Sequence, residues 1–184
     1  MTFLDQLRSY APSDEAEAIH RQRMVNLLTA AHDPFSRAHF EPGHFTASCY
    51  IVDGEGRILL HHHRRLDRWL QMGGHVEPGE STDLAALREG TEESGLADLA
   101  LAYDGIFDLD IHGIPAAKGE PDHDHFDVRY VARTAAPERI SIDRAESNEL
   151  AWVSLDRAAE LMPGSESHRV LRKIARLLRE RSVS

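Results

Sequence analysis

Three glutamates, Glu89, Glu92 and Glu93, crowd the segment "STDLAALREGTEESGL", and Arg88 directly precedes the first of them. The segment predicts a helix over residues 82 to 94. At about 100° per residue, spacings of three and four gather the three carboxylates on one face. Leu84, Leu87 and Thr91 fall on the other side. Like charges on one face repel, at roughly a few tenths of a kcal/mol per pair. They also stand in the C-terminal half of the helix, where the dipole disfavours negative charge. Helix stability alone does not account for this arrangement, whereas a hard divalent cation does. Mg²⁺ and Mn²⁺ prefer oxygen ligands and keep waters that can be shared with phosphates. A solvated acidic face is the plainer use of the same residues. The preceding "GGHVEPGE", residues 73 to 80, predicts a loop, with neither a buried strand nor a regular helix in it.

The flanking residues decide between these uses. Gly74, Glu80, Arg88, Glu89, Glu92, Glu93, Gly95 and Leu96 keep every fixed spacing of a longer pattern. That pattern is Gly, five residues, Glu, seven residues, Arg-Glu, an apolar residue, any residue, Glu-Glu, any residue, Gly, apolar. Residues 74 to 96 therefore resemble the Nudix box. The one departure is Gly90, where the family has an apolar side chain; it costs about 1 kcal/mol of helix propensity and touches no chemical role.

The resemblance implies an α/β fold, a mixed β-sheet sandwiched between helices (α/β/α). It implies a metal site made by the Gly73 carbonyl, Glu89, Glu92 and Glu93, holding one to three Mg²⁺ or Mn²⁺ ions. Glycine suits a backbone that must approach an ion closely. Gly74, Glu80, Arg88 and Gly95 are the structural positions of the box, with Glu80 and Arg88 expected to pair and hold loop to helix. The family often adds a glutamate on a later loop, shortly before a Trp. Glu146, six residues before Trp152, fits that placement as metal ligand or base, and an ordinary polar turn fits it equally.

By the same resemblance the activity is a Nudix-type pyrophosphohydrolase. It would cleave the diphosphate linkage of a nucleoside diphosphate derivative, or a related X-linked diphosphate, by water attack at phosphorus. Glu92, Glu93, Glu146 and Arg88 are its catalytic candidates, and which glutamate takes the proton stays open. Other proteins of this fold are prenyl-diphosphate isomerases that use a cleft Cys and a variant box, or sensors that bind nucleotide derivatives without turnover. The intact box and the lone Cys49, set in an apolar strand, favour the hydrolase.

The elements around the box follow from pattern. Residues 1 to 40 predict a helical and peripheral N-terminal extension, in which Asp14 and Glu17 have capping-box spacing and Pro34 ends the helix. Residues 41 to 184 predict the catalytic domain, including the C-terminal helix. "FTASCYIVD" and "RILLHHH" predict strands around a Gly turn, and further strands follow at "LALAYDGIFDLDI", "HFDVRYVART" and "LAWVSL". Asp156 is placed to cap a short helix, and Val170, Leu171, Ile174, Leu177 and Leu178 form the inner stripe of the last one.

In "HDHFDVRYVA", His123, His125, Asp127 and Arg129 share one face of a strand. They predict a substrate-lining face, Arg129 meeting phosphate oxygens and the histidines a leaving group or a metal. An internal Asp127–Arg129 pair is the alternative. Trp69 could stack on a base or simply pack. A net charge of -10 argues against a nucleic-acid partner. The apolar runs are too short for a membrane span, and the single Cys and the N-terminus suit the cytoplasm. The expected partner is a small-molecule diphosphate. The N-terminal residues leave homodimer formation and covering of the cleft open.

Overall fold

A computed structural model describes residues 1–117, 119–145 and 147–182. Along the chain run α1 (Phe3–Ser9), α2 (Glu15–Ala30), β1 (Gly43–Val52), β2 (Ile58–His63), β3 (Arg68–Leu70), β4 (Met72–His75), α3 (Thr82–Ser94), β5 (Ala100–Leu101), β6 (Asp108–Ile114), β7 (His123–Arg133), β8 (Ser147–Val153), α4 (Leu155–Leu161) and α5 (Ser165–Ser182). The strands form one eight-stranded sheet with the path β3-β2-β1-β7-β5; β4 also pairs with β1, β6 with β7 and β8 with β2. The chain divides into two compact units, and β1, β4, β7 and α3 contribute residues to both.

The first unit comprises Met1–Ser48, Gly73–Ala86 and Tyr103–Tyr130. Here β6 pairs antiparallel with β7, from Asp108 opposite Arg129 to Ile114 opposite His123. Asp14 caps α2 as its spacing predicts, accepting from the Glu17 amide at 2.8 Å. The N-terminal helices, expected to be peripheral, are docked: α1 packs on α2 and α2 on β6. The fastening is the fully buried Glu17 carboxylate. It accepts from the Ser13 amide at 2.6 Å and hydroxyl at 2.9 Å, from the Leu109 amide at 3.2 Å, and from the Tyr10 hydroxyl. A buried carboxylate this well satisfied fixes its helix in place.

The "GGH" stretch is where the loop expectation fails. Met72–His75 is a strand on β1, and the turn begins only after it. A Cβ on Gly73 would stand 2.6 Å from Ser48 Oγ and 2.8 Å from the Ala47 carbonyl oxygen. The glycine serves close strand-to-strand approach.

The second unit comprises Cys49–Met72, Leu87–Ala102 and the chain from Val131 onward. Within it β2 lies between β3 and β8, antiparallel to both, with a register shift against β8 at His62/His63. Val170, Leu171 and Ile174 of α5 are buried, and Leu177 and Leu178 are half-buried. Ser154, not Asp156, caps α4, its side chain accepting from the Arg157 amide; Asp156 falls inside the first turn.

The packing face of α3 is also not the expected one. Leu84 is 57% exposed, while Thr82, Ala85, Ala86, Gly90, Glu93 and Ser94 are buried. A stripe of small side chains lets the helix backbone lie close to its neighbours, and it carries Glu93 inward with it.

Candidate active site

On the second unit's part of α3, Arg88 Nη1 donates to Glu89 at 2.8 Å and to Glu92 at 3.3 Å. One guanidinium thus spans two of the three box carboxylates and limits their repulsion. Glu89 is half-buried, Glu92 exposed and Glu93 only 5% exposed. The helix ends on Ser94, whose hydroxyl bonds the Gly90 carbonyl at 2.5 Å and whose own carbonyl accepts from the Ser141 amide at 2.7 Å. Gly95 then takes φ of 75°, and a Cβ there would meet the Ser141 side chain at 2.7 Å, so glycine is required.

Gly90, the departure from the family pattern, has a local reason. A Cβ at this position would stand 3.1 Å from Leu99 Cδ1 and 3.4 Å from Cys49 Cβ. Leu99 and Cys49 occupy the room that the family gives to an apolar side chain. Cys49 is fully buried. Burial first, and then the Glu93 charge, push its thiol up to about 12, so it is a packing group and a poor nucleophile.

Glu146 lies outside the described residues. Beside it, Ser147 is bonded by His61 Nδ1 at 2.8 Å, and His61 is held down to about 4, by burial first and then by neighbouring imidazoles. Trp69 lies edge-on to His62 with ring centroids 5.4 Å apart.

In the first unit, the loop from His75 to the start of α3 closes on itself. The Glu80 amide donates to the Glu77 carbonyl at 3.0 Å, and the Glu80 carboxylate accepts from the Glu77 amide at 3.1 Å. Thr82, at the start of α3, bonds the buried Tyr130 hydroxyl at 2.7 Å.

The polar face of β7 is present as read, but it divides into two functions. Arg129 is 4% exposed. It donates to Asp127 at 3.0 Å and Asp110 at 2.8 Å, with Asp108 at 3.5 Å, and Asp127 also accepts from Ser48 at 2.8 Å and Thr46 at 3.2 Å. The internal pair is therefore what forms, widened to three carboxylates. The expectation that Arg129 and Asp127 meet substrate is corrected on this ground: the guanidinium's donors are taken up inside the protein.

His123 and His125 belong to a different group. With His44, His75 and His112 they make a cluster of imidazoles whose contacting ring centroids lie 5.0 to 5.6 Å apart. Burial first, then the neighbouring rings, lower His44, bring His75 to about 4 and hold His125 lower still. Sequence reasoning found the two histidines of β7 and missed their partners. The alternation "HDH" was the visible signal, whereas nothing local marks His44 or His112 as its neighbours.

Comparison with known proteins supplies the lineage. The NUDIX domain family profile matches residues 42–173. The chain is 30% identical over 128 residues to an isopentenyl-diphosphate Delta-isomerase of Nocardia farcinica (strain IFM 10152), covering 65% of this chain and 70% of that protein. Among solved structures, a C. elegans Ap4A hydrolase binary complex matches with TM-score 0.61 at 22% identity, over 74% of this chain and 98% of that one. A NUDIX family hydrolase from Clostridium perfringens matches with TM-score 0.55 at 28% identity, over 73% and 97%. With the box complete in its carboxylates and the α/β fold the box implied, the chain belongs to the NUDIX domain family and to the enzyme class of its hydrolases.

Proposed function

We propose that the chain is a metal-dependent pyrophosphohydrolase that cleaves the diphosphate linkage of a nucleoside diphosphate derivative, or of a related X-linked diphosphate, by water attack at phosphorus. The observation that carries this reading is the α3 carboxylate set, with Arg88 bonded to Glu89 and Glu92 and with Glu93 on the buried face. The donors are hard oxygens on one helix, which suits Mg²⁺ or Mn²⁺. Glu89, Glu92 and Glu93 would hold one to three such ions, and the family resemblance adds the Gly73 carbonyl and, from a later loop, Glu146. When bound, the ions supply charge neutralisation for the diphosphate. Arg88 orients Glu89 and Glu92, and a box carboxylate, Glu92 or Glu93, or else Glu146, accepts the proton of the attacking water. Residues 1–40 are carried as an extension of a domain spanning 41–184, and the setting as cytoplasmic. Among the described residues no helix is long and apolar enough to cross a membrane.

The isomerase relative motivates a second reading, rearrangement of a prenyl diphosphate. The buried Cys49 thiol argues against it, since isomerases of this fold use a Cys in the cleft. A panel of nucleoside triphosphates, sugar nucleotides, dinucleotides and prenyl diphosphates, assayed with Mg²⁺ or Mn²⁺, tests both readings. Metal-dependent phosphate or diphosphate release that is lost in Glu93→Gln supports the hydrolase. Isomerised prenyl product, with no phosphate released, overturns it.

A further inference from the structure

The histidine cluster of the first unit has a use that the box does not absorb. Its strands bring the rings together deliberately. His123 and His125 share a face of β7 by the two-residue period, and His44 opens β1. The Pro42 carbonyl accepts from the Asp124 amide at 2.9 Å. Between them, Gly43 has φ of 152°, and a Cβ there would lie 1.8 Å from the Asp124 carbonyl oxygen. Only glycine allows this approach, which seats His44 against His123 and His125 at ring distances of 5.1 and 5.0 Å.

The ring nitrogens are also presented as ligands. His44 Nδ1 faces the His39 carbonyl at 3.2 Å and His123 Nδ1 faces the Pro121 carbonyl at 2.8 Å. A nitrogen facing a carbonyl carries the proton, so Nε2 of each ring bears the lone pair. The Nε2 atoms of His44 and His125 are buried without a hydrogen-bond partner. One donor atom from each of His44, His123 and His125 lies within 4.8 Å of the other two. Nitrogens around one tetrahedral ion at about 2.1 Å stand about 3.4 Å apart, a closure that small ring rotations supply.

We propose that His44, His123 and His125 form a three-histidine site for a borderline divalent transition metal of the Zn²⁺ type. Imidazole nitrogens suit Zn²⁺, Co²⁺ or Fe²⁺ and not Mg²⁺, so the site is chemically distinct from the carboxylates of α3. His123 also lines a cleft of about 990 Å³, together with His39, Pro42, Pro121 and Asp124. Three imidazoles leave a tetrahedral ion one further position, for water or for an anionic group. His75, with its ring 5.1 Å from His44 and 5.5 Å from His125, is the neighbour placed to steer such a ligand.

The test is metal binding, read without any turnover. The chelator-treated, desalted full-length protein is titrated with Co²⁺ for visible absorption and with Zn²⁺ for displacement. Parallel samples are His123→Gln and His125→Gln, with circular dichroism as the folding control. The expected result is one Co²⁺ per chain showing the intense visible bands of a low-coordinate nitrogen site, displaced by equimolar Zn²⁺; Co²⁺ on the α3 carboxylates would add only the weak bands of oxygen-bound ions. Affinity read on the intense bands should fall at least tenfold in each folded His variant. Absence of stoichiometric Co²⁺ or Zn²⁺ binding overturns the proposal, as does intense-band binding that survives in a folded His123→Gln, His125→Gln double variant. Should the His variants fail to fold, carbethoxylation of the wild-type histidines decides. Zn²⁺ protection of His44, His123 and His125 supports the site, and equal modification with and without Zn²⁺ overturns it.

Discussion

Replacing Arg129 with Met separates a cation that builds the protein from one that binds substrate. Arg129 sits 4% exposed among Asp108, Asp110 and Asp127, which are 0%, 3% and 1% exposed. The variant leaves these carboxylates in place without their cation. Removing one partner of a buried ion pair costs about 3–5 kcal/mol, a large part of the roughly 5–15 kcal/mol that holds a domain. For a chain of this size each kcal/mol moves Tm by about 2–4 °C, so Tm should fall by about 6–20 °C. Calorimetry on wild type, Arg129→Met and Arg129→Lys measures it, with Lys retaining part of the loss.

The pH dependence gives a second signature of the same network. Burial alone would raise the Asp110 carboxyl, but the Arg129 guanidinium, followed by His112 and His20, holds it well below the ordinary carboxylate range. Its folded pKa is below its unfolded one, so its contribution is complete above about pH 4 and is lost as the pH falls further. Through this network wild-type stability should fall further below about pH 4, on top of the loss that begins near pH 6.5 as the buried neutral His44, His61, His75 and His125 must take up protons. Without Arg129 the buried carboxylates are protonated more readily in the folded state, and the variant should lose less on acidification. A Tm within about 2 °C of wild type, combined with a raised KM, would refute the structural role and restore Arg129 as a substrate contact.

Other consequences follow from neighbouring contacts. Gly90→Ala should stay within about 1 kcal/mol of wild type in urea unfolding, because the gain in helix propensity meets a 3.1 Å contact with the flexible end of Leu99. Gly90→Leu, which restores the family's apolar residue, should lose about 1–3 kcal/mol by overpacking against Cys49; a stabilised Leu variant would contradict the packing described. Cys49, with its thiol held near 12, should react with a thiol reagent at pH 8 only after unfolding, and prompt labelling of the native protein would show an accessible site. Glu17→Ala should cost about 2–4 kcal/mol by leaving several buried donors unpaired, with native-state proteolysis beginning in α1 and α2. An unchanged cleavage pattern would show that the helices are held by other contacts.

The box was legible because its residues are local: a helix over 82–94 follows from spacing alone, and it forms at Thr82–Ser94. So do the alternating faces of β7 and the cap at Asp14. What spacing could not show is which neighbour each face meets. Leu84 looked like the inward side of α3, but Ala85, Ala86 and Gly90 are the buried positions, and at Gly90 the side chains of Leu99 and Cys49 leave little room. Gly73 looked like a loop residue because glycine marks both turns and tight strand contacts, and only the position of Ser48 tells them apart. Arg129 looked like an anion-binding residue because Asp108 and Asp110, which neutralise it, arrive on β6 from a distant part of the sequence. His44 joins His123 and His125 for the same reason, since long-range pairing leaves no local trace.

The central claim is hydrolysis by water attack at phosphorus, directed by the α3 carboxylates. It is tested most directly by running the best substrate of the diphosphate panel in ¹⁸O-labelled water with Mg²⁺ and reading the products by ³¹P NMR. The account predicts one ¹⁸O atom on a product phosphate for each turnover of the wild type, and no turnover in Glu93→Gln. Turnover that leaves every phosphorus unlabelled, or that persists in Glu93→Gln, would contradict it.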